Sequence, residues 1–131
     1  MSPTQFATEP MCWRRLPEGN WLRPDAELCL VGEGYEDLYF IEADTGTERQ
    51  GTVARKLAQY RQLFQGGTEQ ASRGVFPQVL FVTLEERRVG WITGQIARQP
   101  KEVRPIFAAV HLAALPGLLT WGPQAGAENE Q

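Results

Sequence analysis

The chain has 131 residues, 42% of them hydrophobic and 22% charged, which suits one packed domain and argues against global disorder. No apolar run approaches the ~20 residues of a membrane helix, and the Met-Ser-Pro-Thr-Gln-Phe start lacks a signal-peptide plan, so a cytoplasmic protein is expected. Cys12, Cys29 and the single His111 cannot supply a four-ligand Cys/His zinc site, and nothing near them supports a Cys–His nucleophile. Charge is segregated beneath the net −3. Residues 1–44 carry three basic and nine acidic side chains, residues 45–104 ten basic and five acidic, and the remainder two glutamates. An acidic cluster beside a basic middle suits a site that holds a cation and grips phosphates, and it is equally compatible with ordinary surface scatter.

Residues 1–21, with Pro3, Pro10 and Pro17, read as an irregular lead-in with a short helical turn around Met11 to Arg15. Leu28–Val31 and Leu38–Ile41 are apolar runs around Gly32-Glu33-Gly34, the pattern of a β-hairpin. If Glu33-Gly34 is a two-residue loop, Asp25 lies opposite Glu42 and both carboxylates share one sheet face. Another loop length would separate them.

The pairs Thr45/Glu48 and Thr47/Gln50 fit a capping box, opening a helix whose buried stripe is Val53, Leu57, Tyr60 and Phe64. Gly66-Gly67 stops it. Lys56 and Arg49 lie on the flank of that stripe, so a cation there reaches toward the preceding strand. A loop through Gly74 follows. Val79–Val82 then reads as a buried strand, and Thr83 and Glu86 as a second capping box for a helix carrying Val89, Ile92 and Ile96. Ile106–Val110 forms a last strand, Trp121 packs back on the sheet, and residues 123–131 are a flexible acidic tail. Hairpin, helix, strand, helix, strand is an α/β fold with a mixed sheet flanked by helices, spanning residues 22–122.

The residues that carry chemistry are Arg23-Pro24-Asp25 before the first hairpin strand, Glu42-Ala43-Asp44 at the end of the second, and Lys56 on the next helix. Carboxylates at neighbouring strand ends suit Mg²⁺ or Mn²⁺, hard ions with a preference for oxygen. Such an ion polarises a phosphodiester and acidifies a bound water, and a lysine beside it offsets developing charge.

Pro24-Asp25 followed by Glu42-Ala43-Asp44 resembles the PD-(D/E)XK nuclease superfamily. More narrowly, "LRPDAELCL", "FIEADTGTE", "ARKLAQYRQLF" and "FPQVLFVTLEERR" resemble the nuclease-like domain of bacterial replication–relaxation proteins, from about Leu22 to Leu115. The resemblance implies a restriction-endonuclease-like sheet and metal-dependent DNA hydrolysis in replication or plasmid biology. It implies Asp25 and Glu42 as metal ligands and Lys56 as the catalytic cation. Asp44 stands where the superfamily pattern has lysine, so it is either an additional ligand or a helix cap, and Lys56 takes the lysine's place from the helix. Family members commonly carry an N-terminal winged helix, for which the residues before Leu22 are too few. That leaves open whether the chain acts alone, is a fragment of a longer protein, or works with a protein partner that supplies DNA targeting; a homodimer is a separate expectation.

Simpler readings stand beside these. Asp25 fits a turn or cap, and Glu42 an ion pair with Arg49 or Lys56. Lys56 and Tyr60, four residues apart, either face the same site or make Tyr60 a core position along which Lys56 snorkels. Arg49, Arg73, Arg87, Arg88 and Arg98 are candidate phosphate contacts, although arginines on helices are often solvated surface. Trp91 and Tyr35 suit base stacking or packing alike. His111 and Cys29 suit the core. The competing function is a catalytically inactive nuclease fold that binds DNA or a protein partner in replication or transcription control. A blander one is a small interaction protein whose acidic corner caps a helix.

Overall fold

A computed structural model describes residues 2–8, 11–32, 34–46 and 50–115. The described residues form seven strands: β1 (Ser2–Thr8), β2 (Arg14–Arg15), β3 (Trp21–Leu22), β4 (Ala26–Gly32), β5 (Tyr35–Asp44), β6 (Gln78–Thr83) and β7 (Phe107–His111). The helices are α1 (Gln50–Gly66), α2 (Thr68–Arg73) and α3 (Glu86–Ile96). The main sheet runs β1-β4-β5-β6-β7, antiparallel as far as β5 and parallel beyond it, so it is mixed and the fold is α/β. Among the described residues no helix is long and apolar enough to cross a membrane.

The hairpin register follows from its short connection. Gly32 pairs with Tyr35 and Ala26 with Ile41, and continuing the pairing by one residue sets Asp25 opposite Glu42. Gly34 has φ +84°, a conformation that costs most side chains energy and glycine nothing.

Alternation along the strands builds two cores. Phe40, Val79, Phe81 and Phe107 face α1 and α3, meeting Val53, Leu57, Tyr60, Leu63, Ile92 and Ile96. Leu28, Leu30, Tyr39, Leu80 and Val82 form the other. In the larger core Phe40 lies 5.6 Å from the Tyr60 ring, and burying side chains of this size contributes roughly 1.5–3 kcal/mol each. Leu63 is as deeply buried as its neighbours, while Phe64, expected in the stripe, is only partly buried.

The structure corrects the sequence reading at several points. The lead-in is not irregular: β1 forms the sheet's edge beside β4, and its pairing shifts register between Pro3 and Gln5. Proline is tolerated there because an edge strand leaves half its N–H groups without a ladder partner. The sheet therefore begins at Ser2 rather than near Leu22. No helix forms at Met11 to Arg15. Arg14 instead pairs with Leu22 and Arg15 with Trp21 in a two-stranded ribbon, turned through Gly19 at φ +100°. The loop after Gly67 contains α2.

The second capping box does not form. Glu85 is the N-cap of α3 and makes no side-chain cap, while Thr83 Oγ1 accepts from the Glu85 N–H at 3.3 Å. His111 is half-buried rather than core. Its Nδ1 accepts from the Ala113 N–H and its Nε2 lies 3.0 Å from the Leu84 carbonyl oxygen. Glu33, the first capping boxes through Thr47, Glu48 and Arg49, Trp121 and the acidic tail lie outside the described residues.

Candidate functional site

Asp25 sits where β4 is about to begin. Its N–H donates to the Ile41 carbonyl at 3.1 Å, and its Oδ2 accepts from the Ala43 N–H at 2.7 Å. The side chain thus takes the place of a ladder acceptor for β5, which fixes it beside Glu42.

Glu42 points toward α1 from the same face and is only 5% exposed. Its Oε2 accepts from the Tyr60 hydroxyl and, at 3.3 Å, from Lys56 Nζ. Lys56 and Tyr60 are one helical turn apart, so both reach the same carboxylate. Lys56 Nζ also donates to the Arg23 carbonyl, linking α1 to the segment that carries Asp25.

Asp25, Glu42, Asp44, Lys56, Thr52 and Phe81 are among the residues lining an open cleft of about 180 Å³ at the carboxyl end of β5. Ligand sites favour this end of parallel strands. Burial is the main cause that lifts Glu42 to about pH 7; the Lys56 charge and the Tyr60 hydrogen bond pull it down, and the Asp25 charge pushes it up. Burial, together with the Glu42 charge, also holds the Tyr60 hydroxyl well above its ordinary value.

Asp44 lines the cleft, yet Arg88 grips it, Nε to Oδ2 at 2.9 Å and Nη2 to Oδ1 at 2.8 Å. Arg88 itself lies over Trp91, 4.4 Å from the ring centre, so Trp91 packs as core edge and cation platform. Of the other arginines proposed for phosphate, Arg73 and Arg87 are also engaged. Arg73 Nη2 pairs with Glu27, in a cluster where Arg14 binds Glu27 at 2.8 Å and Glu69 at 2.9 Å. Hydrogen bonds to those two acids raise the Arg14 pKa despite its burial. Arg87 is exposed and lies 3.6 Å from Glu85, a surface pair worth little. Arg49 lies outside the described residues.

Whether the cleft suits a divalent metal is a question of donors. Asp25 Oδ1 and Glu42 Oε1 accept no hydrogen bond from the described residues, whereas both Asp44 oxygens bind Arg88. No group of three or more His, Cys, Asp or Glu side chains is arranged to hold a metal among the described residues. Mg²⁺ takes oxygen ligands and keeps several waters, so Asp25 Oδ1 and Glu42 Oε1 are the two donors this cleft would offer such an ion.

The spacing of four between Lys56 and Tyr60 allows either a shared site or a core tyrosine, and the structure shows both at once: Tyr60 is fully buried and meets Glu42 beside Lys56. The Asp44–Arg88 pair spans 44 residues and leaves no local signal.

The replication-relaxation family model matches residues 3–79, from β1 through the hairpin and both early helices into β6. No curated protein and no solved structure was found to match the chain.

Proposed function

Because the chain belongs to the replication-relaxation family, we propose that its cleft hydrolyses DNA phosphodiesters with the help of a divalent metal ion, in replication or plasmid biology. The reading takes the fold as a PD-(D/E)XK-like one. The observation that carries it is the meeting of Asp25, Glu42 and Lys56 in one cleft.

Asp25 Oδ1 and Glu42 Oε1 would hold the ion. When bound, Mg²⁺ or Mn²⁺ supplies Lewis-acid polarisation of the phosphodiester and a more acidic water. The chain's own residues prepare the rest. The Ala43 N–H and the Tyr60 hydroxyl each occupy one oxygen of a carboxylate, which orients the other toward the cleft. Lys56, anchored on the Arg23 carbonyl, keeps a positive charge beside Glu42 where negative charge would accumulate on the phosphoryl oxygens. Asp44 stays with Arg88 and shapes the wall.

The test incubates purified protein with supercoiled plasmid and with circular single-stranded DNA in Mg²⁺ or Mn²⁺, beside D25N, E42Q and K56M. Cleavage by the wild type that falls at least about 100-fold in each variant supports the assignment. A wild type that cuts neither DNA in either metal overturns it.

A second reading has its own observation. Asp44 occupies the superfamily's lysine position and is clamped by Arg88, while Lys56 and Tyr60 close one side of Glu42. An inactive fold of this kind would bind DNA or a protein partner without divalent ions, and E42Q would leave that binding intact.

A further inference from the structure

The β2–β3 ribbon has two unlike faces. Its inner face carries Leu22, fully buried, and Arg14, tied to Glu27 and Glu69. On the outer face Arg15 pairs across the ladder with Trp21, and extending the register by one step sets Trp13 opposite Arg23. In both pairs the guanidinium lies over the indole ring. The Arg15 guanidinium lies 5.5 Å from the Trp21 ring centre and that of Arg23 lies 4.6 Å from Trp13.

Arg15 and Arg23 are exposed, and neither has an ion-pair partner among the described carboxylates. Arg14, Arg73, Arg87 and Arg88 pair with an acid; Arg55, Arg61, Arg98 and Arg104 do not, but among the described residues none of those four lies over an aromatic ring as Arg15 and Arg23 do. Trp21 is 43% exposed, so part of its ring is open to solvent beside Arg15. A guanidinium stacked by its flat face keeps its in-plane N–H groups for phosphate oxygens. Alternating aromatic and cationic side chains are what a single-stranded nucleic acid needs, stacking for bases and charge for the backbone.

The outer face is also continuous with the cleft. Arg23 is two residues from Asp25, and its carbonyl accepts from Lys56. We infer that the outer face of the ribbon, through Trp13, Arg15, Trp21 and Arg23, holds single-stranded DNA and leads it toward the Asp25–Glu42 cleft. The inference rests on the DNA reading above and names the form of DNA that the site receives. A ribbon with this face forward grips unpaired bases, which a duplex keeps stacked inside.

The experiment reads binding alone, in EDTA, so that hydrolysis plays no part. Fluorescein-labelled dT20 and a 20-base-pair duplex are titrated with wild type, W21A, W21F and the double variant R15A/R23A at several salt concentrations. Wild type is expected to prefer dT20. W21A should weaken dT20 binding at least about fivefold, with W21F recovering most of it. R15A/R23A should weaken it further and lower the slope of log K against log salt by about 1.4, two phosphate contacts' worth.

Wild-type affinity and slope in W21A and R15A/R23A would overturn the inference, as would equal losses on duplex and single strand. Failure of the wild type to bind dT20 at low salt would do the same. A wild type that binds dT20 through these residues yet cuts nothing in Mg²⁺ would sink the hydrolytic reading and leave the ribbon's role standing.

Discussion

Asp44 and Arg88 meet through two N–H···O bonds of 2.9 and 2.8 Å, joining the end of β5 to the first turns of α3 at the wall of the cleft. The Asp44 side chain is 3% exposed and that of Arg88 15%. Removing one partner takes two charge-assisted hydrogen bonds away from a charged group in a dry place. Arg88→Met is expected to destabilise the protein by about 3 kcal/mol, and D44N/R88M to be less destabilised than R88M alone. Urea unfolding of the three proteins checks both statements.

Glu42 gives a pH signature. Its folded-state pKa of about 7 stands above the ordinary 4.5, so between these values the native state keeps a proton that the unfolded chain has released. Stability carried by this group is therefore greatest below about pH 4.5, declines as pH rises toward 7, and is level above. The slope is about 1.4 kcal/mol per pH unit at its steepest, and the whole change is about 3 kcal/mol. Other carboxylates add slopes of their own, so the measurement is the difference between wild type and E42Q, in EDTA, across pH 4 to 8.

Lys56 and Tyr60 both hold the Glu42 pKa down, the lysine more strongly. K56M and Y60F should each raise it above its wild-type value, with the larger rise in K56M. Carbon-13 NMR titration of the glutamate carboxyl carbons reads this directly. An unchanged Glu42 in both variants would mean that the two contacts do not persist in solution.

Gly46 follows β5 with φ +85°, and a Cβ there would stand 3.2 Å from a Glu85 carboxylate oxygen. The oxygen ends a flexible side chain and can yield, but the backbone conformation cannot be adopted cheaply by alanine. G46A is expected to cost about 1–2 kcal/mol in urea unfolding. Glycine is used here to turn the chain from the strand that bears Glu42 toward α1.

The hairpin and the α1 stripe were legible because they are local. A two-residue connection fixes which residues face one another, and a stripe recurring every three or four residues defines a helix face. That locality brought Asp25, Glu42 and Lys56 into one argument from spacing alone. Strand β1 was not legible, since it pairs with residues 18 to 29 positions away and carries a proline that suggests irregular chain. The engagement of Asp44 by Arg88 and of Arg73 by Glu27 was hidden for the same reason. Partners of buried charges are chosen by tertiary packing, and a sequence marks only that an arginine is present.

The bulged first strand has one more consequence. It lies against β4 as a selvedge, with its pairing displaced at Pro3–Gln5, and a displaced border resists alignment with the border of another molecule. Stripped of residues 2–8, β4 would offer a bare row of amides and carbonyls along a strand that includes Leu28, Cys29 and Leu30. Such a shortened chain is expected to recruit its own copies into fibrous aggregates, with thioflavin fluorescence as the readout, because residues 2–8 cover the β4 edge.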